Sequence, residues 1–552
     1  MSRSFGRLIC FALLATWAWA APQERTASPS QPVFRIGGVV VDSLSGAQLA
    51  GTQVSIVATL PPNAVRATTT GADGRFLFEN VARGKYNLIA RRRGYITQSF
   101  NEHELFSTAI AVGPGPNAPG GKSTGLNPEE LVFRLRPSAS ISGRITDGMN
   151  EAVRDAQVAL YADQMRNGER AIRMAAQAMT DFEGSYRFSH LAPGRYFVAV
   201  SAHLWYAQPP LRRAQEEDAG NPSGEENSLD VAYPVTFYPA ATEPSGASPI
   251  TLQPGDRAIA NLTLQAVPAL HVRIPTGSFE SSPQVAATVS QTGFDGSTLR
   301  MLPSRPVAPG MIEIDGLTPG HYKLNLRSYG GKNSTSMYSQ IDVSGNAELN
   351  ALDGAAPASV SGTVKSTTGV QLPGQMVIQF HNNASGERFM AQVSGGKFSL
   401  REVILAGSYE VGLFNAPGWF IKNLSARGAK VVGQKLQIDG SNPVEVTLLM
   451  TKGIGRVDGT ALKENKPFAG AMVVLVPEDP ANNAALFRRD QSDSDGTFTL
   501  PSVLPGKYTV VAIENGWELE WSNPEVLKRY LAKGESVQVA PNKKYDVSVK
   551  VQ

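Results

Sequence analysis

Residues 493–512 read DSDGTFTLPSVLPGKYTVVA. Asp493, Asp495 and Gly496 resemble the start of a calcium loop, yet the same letters suit a turn between two strands. The chain itself decides, because it repeats the phrase. GADGRFLFENVARGKYNLIA (71–90) and DFEGSYRFSHLAPGRYFVAV (181–200) keep a turn glycine, an aromatic two residues on, a second glycine ten residues after the first, and then a tyrosine. The glycine pairs are Gly74/Gly84, Gly184/Gly194 and Gly496/Gly506, and the tyrosines are Tyr86, Tyr196 and Tyr508. MIEIDGLTPGHYKLNL (311–326) and GGKFSLREVILAGSYEVGL (395–413) are weaker copies, ending in Tyr322 and Tyr409. Placed on an EF-hand loop with Gly496 at its sixth position, the first and twelfth ligands fall on Gln491 and Ser502, neither a carboxylate. What repeats is therefore a turn and two strands, not a ligand set.

FTL and YTVVA carry the β-branched and aromatic residues of strands, and the Asp-Gly and Pro-Gly steps supply the turns. Upstream of each phrase lies a matching beginning: IGGVVVDSLSGAQLAGTQVSIVA (36–58), ISGRITDGMNEAVRDAQVALYA (141–162), LHVRIPTGSFESSPQVAATVS (270–290), VSGTVKSTTGVQLPGQMVIQF (360–380) and VDGTALKENKPFAGAMVVLVP (457–477). From an early glycine to the tyrosine the spacing stays near 50, as in Gly38 to Tyr86, Gly143 to Tyr196, Gly362 to Tyr409 and Gly459 to Tyr508. A closing strand follows in LVFRLRP (131–137), IANLTLQ (259–265), VEVTLLM (444–450) and YDVSVKV (545–551).

This pattern predicts an all-β chain of about five seven-stranded β-sandwiches in tandem, over residues 33–137, 138–266, 268–352, 357–450 and 453–552. The third and fourth are divergent, and the second carries a charged, turn-rich insert at 208–230. One short helix is expected over SNPEVLKRYLAKG (522–534), with Asn523 as N-cap, Pro524 in its first turn and Gly534 past its end. Short links between small units predict an extended rod.

A chain of 552 residues exceeds one core, and its 53 glycines and 37 prolines suit a turn-rich β protein. A net charge of +3 is too small to imply a nucleic-acid surface. At the N-terminus Arg3 and Arg7 precede LICFALLATWAW and the A-x-A step Ala18-Trp19-Ala20, which reads as a signal peptide over 1–20. The expected destination is the periplasm, the outer surface or the medium. No later stretch approaches the roughly 20 apolar residues of a membrane span, so none is expected after signal cleavage. Cys10, the only cysteine, lies inside that segment, which leaves neither disulfide nor thiolate chemistry for the rest of the chain.

The order of strand, turn, G-A-x-V-x-L, then D-x-x-G-x-F-x-F and P-G-x-Y-x-V resembles the carboxypeptidase regulatory-like domain, a transthyretin-like, Ig-like sandwich. The resemblance covers nearly all of the chain after the signal, as a tandem protein of bacterial type. It is closest in the last copy, through PFAGAMVVLVPED and SDSDGTFTLPSVLPGKYTVVA. It implies accessory modules of exported and cell-envelope proteins, related to carbohydrate-binding-like folds, with no catalytic activity in the module itself.

A peptidase zinc site needs paired histidines and a carboxylate. The histidines His103, His190, His203, His271, His321 and His381 are scattered singly, and His103-Glu104 continues to Ser107 where H-E-x-x-H needs a second histidine. GPNAPGGKST (115–124) has Pro116 where a phosphate loop needs glycine, and no G-x-S-x-G elbow occurs. We therefore expect no enzyme activity, no catalytic residues, no cofactor and no metal. A recurrent cluster of rings past the tyrosine strand supplies the candidate ligand-binding residues: Tyr95, Trp205, Tyr206, Trp419, Trp517 and Trp521. Such rings either stack on sugars or lid their own cores. The expected function is non-catalytic binding or structure at the cell envelope, with a glycan or an envelope protein as partner. The alternatives are a carbohydrate-binding protein using these rings and an accessory subunit of an extracytoplasmic enzyme.

Overall fold

The computed structural model describes residues 33–113, 126–207, 229–276, 284–329, 335–349, 358–367, 369, 371–382, 387–404, 406–440 and 442–552. The signal peptide over 1–20, the GPNAPGGKST loop and residues 208–228 of the insert lie outside them. Nearly every element is a strand, and the one α-helix among the described residues is Pro524–Leu531. That helix starts as the sequence predicts: the Asn523 side chain accepts from Glu525 N at 3.1 Å. No helix among the described residues is long and apolar enough to cross a membrane.

The strands build successive β-sandwiches. In the last, Gly455–Lys463 lies between Thr497–Val503 and Lys544–Lys550, facing a sheet ordered Arg488–Gln491, Met472–Pro477, Gly506–Ile513, Glu535–Val539. The unit's first strand pairs antiparallel with the phrase's first strand and parallel with the closing strand. Phe34–Asp42 does the same with Arg75–Val81 and Leu131–Leu135, and Val360–Ser366 with Lys397–Ser399 and Val444–Lys452.

The third unit departs from the two-sheet pattern. Its strands form one seven-stranded path, because Thr298–Ala308 pairs with Gln284–Thr292 along its first half and with Met311–Leu317 along its second. Here Thr298–Ala308 and Met311–Leu317 are joined by the Pro309-Gly310 step and pair as a hairpin, whereas the corresponding strands of the other units lie in separate sheets.

Each letter of the repeated phrase has a physical reason. The turn glycines Gly74, Gly184 and Gly496 have φ of 67°, 73° and 74°, where a side chain is strained. The early glycines make a close approach instead. A Cβ on Gly38, Gly143, Gly362 or Gly459 would stand 2.1, 2.1, 2.2 or 2.2 Å from a carbonyl oxygen of the parallel closing segment. The tyrosine hydroxyls reach back four residues to cap their own turn: Tyr86 to Ala82 O, Tyr196 to Ala192 O, Tyr322 to Thr318 O and Tyr508 to Leu504 O, at 2.7–2.9 Å. Tyr508→Phe removes only that bond and should lower the stability of the last unit by about 1 kcal/mol in denaturant titrations. A cost near zero would show that the ring alone matters.

Candidate functional site

The side chains with chemical potential gather where units meet. The first meeting joins the two ends of the described chain. Asp493 and Asp495 of the opening phrase hold the Lys85 ammonium at 2.5 and 3.2 Å, and Thr497 completes its shell. Lys85 belongs to the GKY turn of the first unit's copy, so one copy of the phrase docks on another. Burial pulls the lysine pKa down, but the charges of Asp493 and Asp495 outweigh it and hold the pKa above its usual value. The position that resembled a calcium loop thus receives a cation from its own chain. Backbone pairing extends the contact: Ala109 N donates to Asp493 Oδ1 at 3.0 Å, Ser494 N to Ala109 O at 2.9 Å and Ala111 N to Ser494 Oγ at 2.8 Å.

Beside it, the buried Arg489 guanidinium is paired with Glu104 and lies 4.5, 5.3 and 5.8 Å from the ring centroids of Phe106, Trp517 and Trp521. His103 stacks on Trp517 at 4.2 Å with planes 8° apart. The second unit reaches the same place through Arg170–Glu518 at 3.0 Å and Ser522 N to Gly168 O at 3.3 Å. The chain therefore folds back on itself and is not the extended rod that short links alone predict. Matched charges and rings about four hundred residues apart in sequence override the linkers.

The second and third units share an apolar seam. Phe294, on a turn of the third, sits among Tyr161, Phe197 and Phe237 of the second at 5.1, 4.9 and 5.5 Å between centroids. Tyr161 Oη and Ser297 Oγ are 2.9 Å apart, and Met174 N donates to Asp295 Oδ2 at 2.9 Å. At the edge of this seam His271 bonds Asp315 at 2.9 Å through Nδ1 and Asp230 at 2.6 Å through Nε2. Candidate ligand atoms of His271, Glu313 and Asp315 lie within 4.8 Å of one another, close enough to hold a metal ion. Arg273 and Arg305 already bond Glu313, and Arg305 also bonds Asp315. With His271 protonated, three cations balance Asp230, Glu313 and Asp315, so a divalent ion would have to displace two guanidinium groups. The arrangement is a closed ion network.

The hydrogen bond to Asp315, aided by Asp230 and opposed by burial, raises the His271 pKa to about 9. A raised folded-state pKa means that the stabilisation is full below the unfolded value near 6.5 and is lost as pH rises through about 9. Proton NMR should place the His271 midpoint near pH 9, and Asp315→Asn should move it down toward the ordinary range. A midpoint near the ordinary value in the unaltered chain would refute the network.

The six candidate rings are not brought together. Trp419 is 8% exposed and belongs to the fourth unit's core, while Trp521, 6% exposed, packs on the C-terminal helix with Phe487 and Leu527. Trp517 is half-buried against His103. Tyr95 packs on the first unit's core and donates to Asp42 Oδ2 at 2.9 Å. Trp205 is 87% exposed and makes an edge contact with Tyr206 at 5.4 Å. Only this pair presents a broad free ring face.

Two segments, 35–116 and 140–209, match the carboxypeptidase regulatory-like domain. The two matched segments follow one another along the chain and are similar to that domain in tandem. Residues 453–536 match a related description, the second β-sandwich domain of BOS complex subunit NOMO1-like proteins. The sequence places the closest regulatory-like resemblance in this last unit, whereas the regulatory-like matches fall on the first two. No curated protein matches the chain. Among solved structures, a streptococcal ancillary pilin is similar at 11% identity and TM-score 0.20, over 51% of this chain and 99% of the pilin. The Bacillus anthracis TIE protein is similar at 10% identity and TM-score 0.16, over 95% of this chain and 76% of that one. Two B repeat units of the Staphylococcus aureus collagen-binding protein are similar at 11% and 0.13, over 76% and 100%. TM-scores this low carry no functional argument.

The residues that sequence reasoning missed are the joining ones: Lys85, Glu104, Arg489, Phe294 and the His271 network. A signal did exist. VALYA, YFVAV and MVVLV run apolar without alternation, as strands covered on both faces do. Met472–Val476 is buried at every residue, and Phe197–Val200 likewise. The first unit's counterpart QVSIVA alternates and is less covered on its second face.

Proposed function

We propose that this chain is an exported, non-catalytic structural and binding protein of the cell surface or envelope, a scaffold of regulatory-like sandwiches held in a fixed arrangement. The observation that carries this reading is the use of its reactive side chains. Lys85 is paired with Asp493 and Asp495, Arg489 with Glu104, and His271 with Asp230 across junctions between units, while Glu313 and Asp315 are held within the third unit by Arg273, Arg305 and His271. A general base or nucleophile needs a free partner beside an open cleft, and these groups are engaged. Fixed junctions suit a protein that presents surfaces at set distances. Crosslinking in intact cells, followed by fractionation, tests the reading. It expects an extracytoplasmic protein with a stable envelope partner; a solitary cytoplasmic monomer would sink it.

Glycan binding is a second reading, favoured by Trp205 and Tyr206. An exposed tryptophan braced edge-on by a tyrosine is a platform of the kind that stacks on sugar faces. Neither ring is needed by a core.

A further inference from the structure

Between the second and third units runs a cleft of about 590 Å³, continuing past His203 and Arg300 into a smaller hollow of about 190 Å³. Its floor holds an unusual group. Arg300 is 6% exposed, yet no carboxylate pairs with it among the described residues. The other buried arginine among the described residues, Arg489, has both a counter-charge and a ring cage. Two of the guanidinium's five N–H groups are accepted by protein, Nη1 by Tyr233 O and Nη2 by Gly316 O, both at 2.9 Å. Its Nε is buried and has no acceptor. A permanently charged guanidinium held in a low-dielectric floor, anchored by two carbonyls and short of an anion, is costly unless something supplies that anion.

The surroundings define what would fit. Asp230 and Asp315 reach the smaller hollow but are committed to His271. Asp155 is exposed at the far rim of the larger one. The remaining polar groups of the wall are neutral: the amides of Gln157 and Gln177 and the Ser201 hydroxyl. Burial and the Arg300 charge hold the His203 pKa below its usual value, so it offers a neutral imidazole at neutral pH. Leu204 and Ala207 line the smaller hollow and flank Trp205 and Tyr206 in sequence, which sets the exposed Trp205 and the half-buried Tyr206 beside its mouth. One buried cation, neutral hydrogen-bonding amides and a hydroxyl, and an aromatic face at the entrance together match a sugar bearing a carboxylate.

We propose that the cleft between the second and third sandwiches binds an acidic saccharide, with Arg300 receiving its carboxylate and Trp205 stacking on a neighbouring ring. This rests on the glycan reading and narrows it to uronic acid-type ligands. Calorimetry on the full chain with trigalacturonate, neutral galactotriose and an acidic hexapeptide tests it. Trigalacturonate should bind, galactotriose at least tenfold more weakly, and Arg300→Gln should lower trigalacturonate affinity at least tenfold while leaving galactotriose unchanged. Because Arg300 is buried, thermal unfolding must confirm that the variant folds. His203→Ala, on the cleft wall, is expected to lower trigalacturonate affinity severalfold, and Trp205→Ala to weaken both sugars. Equal binding of both sugars, unaffected by Arg300→Gln, would overturn the assignment while leaving glycan binding intact. Preference for the acidic peptide, or no binding of either sugar at millimolar concentration, would overturn the glycan reading with it.

Discussion

Glu104→Ala is expected to release the first sandwich from the last. The substitution leaves Arg489 buried with no carboxylate, and an uncompensated internal charge costs about 3–5 kcal/mol. The double variant Glu104→Ala/Arg489→Met removes the charge along with its partner and fills the ring cage formed by Phe106, Trp517 and Trp521. It should recover most of the loss, since apolar replacement of a buried pair is often neutral. Fluorescence transfer between dyes placed on the two units would read the distance directly, and small-angle scattering the overall size. Expansion in the single variant that the double variant reverses is the expected result. If the single variant stays as compact as the parent, the backbone pairing at Ala109–Ser494 and the Lys85 contacts hold the ends without Arg489.

Gly459→Ala should do comparable damage, confined to the last unit. Its Cβ would stand 2.2 Å from Val547 O and 2.5 Å from the Phe498 ring, so either the parallel strand moves away or the ring leaves its core position. Overpacking a core costs about 1–3 kcal/mol, and a clash with backbone that cannot rotate aside belongs at or above the top of that range. Gly345→Ala, where nothing lies within 4 Å, is the control and should be near neutral. Hydrogen exchange followed residue by residue would separate the units, which a single melting curve on a multidomain chain cannot do. Protection should fall across Gly455–Lys463 and Lys544–Lys550 and persist in Phe34–Asp42.

These two sites mark what was legible in the sequence. Gly459 belongs to a spacing that recurs with Gly38, Gly143 and Gly362, and recurrence exposes a local requirement: a strand that must lie against the carbonyls of its parallel partner. The tyrosine turn is legible for the same reason, because its bond reaches only four residues back. Glu104 and Arg489 recur nowhere. Their meeting depends on where whole units lie, and no periodicity encodes that. Arg300 was hidden in another way. It follows Leu299, and both are buried: Leu299 packs into the second unit, while Arg300 is held by Tyr233 O of the second unit and Gly316 O of its own. From sequence alone such a pair reads as one inward and one outward residue. The rings mislead conversely: Trp419 and Trp205 stand at similar places after their tyrosine strands, but the first closes a core and the second faces outward.

The parallel pairing of first and closing strands has a mechanical consequence. In each unit the chain enters at one end of that pair and leaves at the other, so tension on the chain slides the two strands along each other. Their cross-strand hydrogen bonds are then loaded together in shear and are not peeled one at a time. Seven register pairs carry that load between Val360–Ser366 and Val444–Met450, and seven between Arg456–Leu462 and Lys544–Lys550. In the third unit, among the described residues, Val272 with Ala347 and Arg273 with Glu348 do so. Forced extension is governed by the unfolding rate. Under pulling, the third sandwich is the fuse of the array: it yields first, and its long bent sheet pays out chain before its neighbours lose their shape.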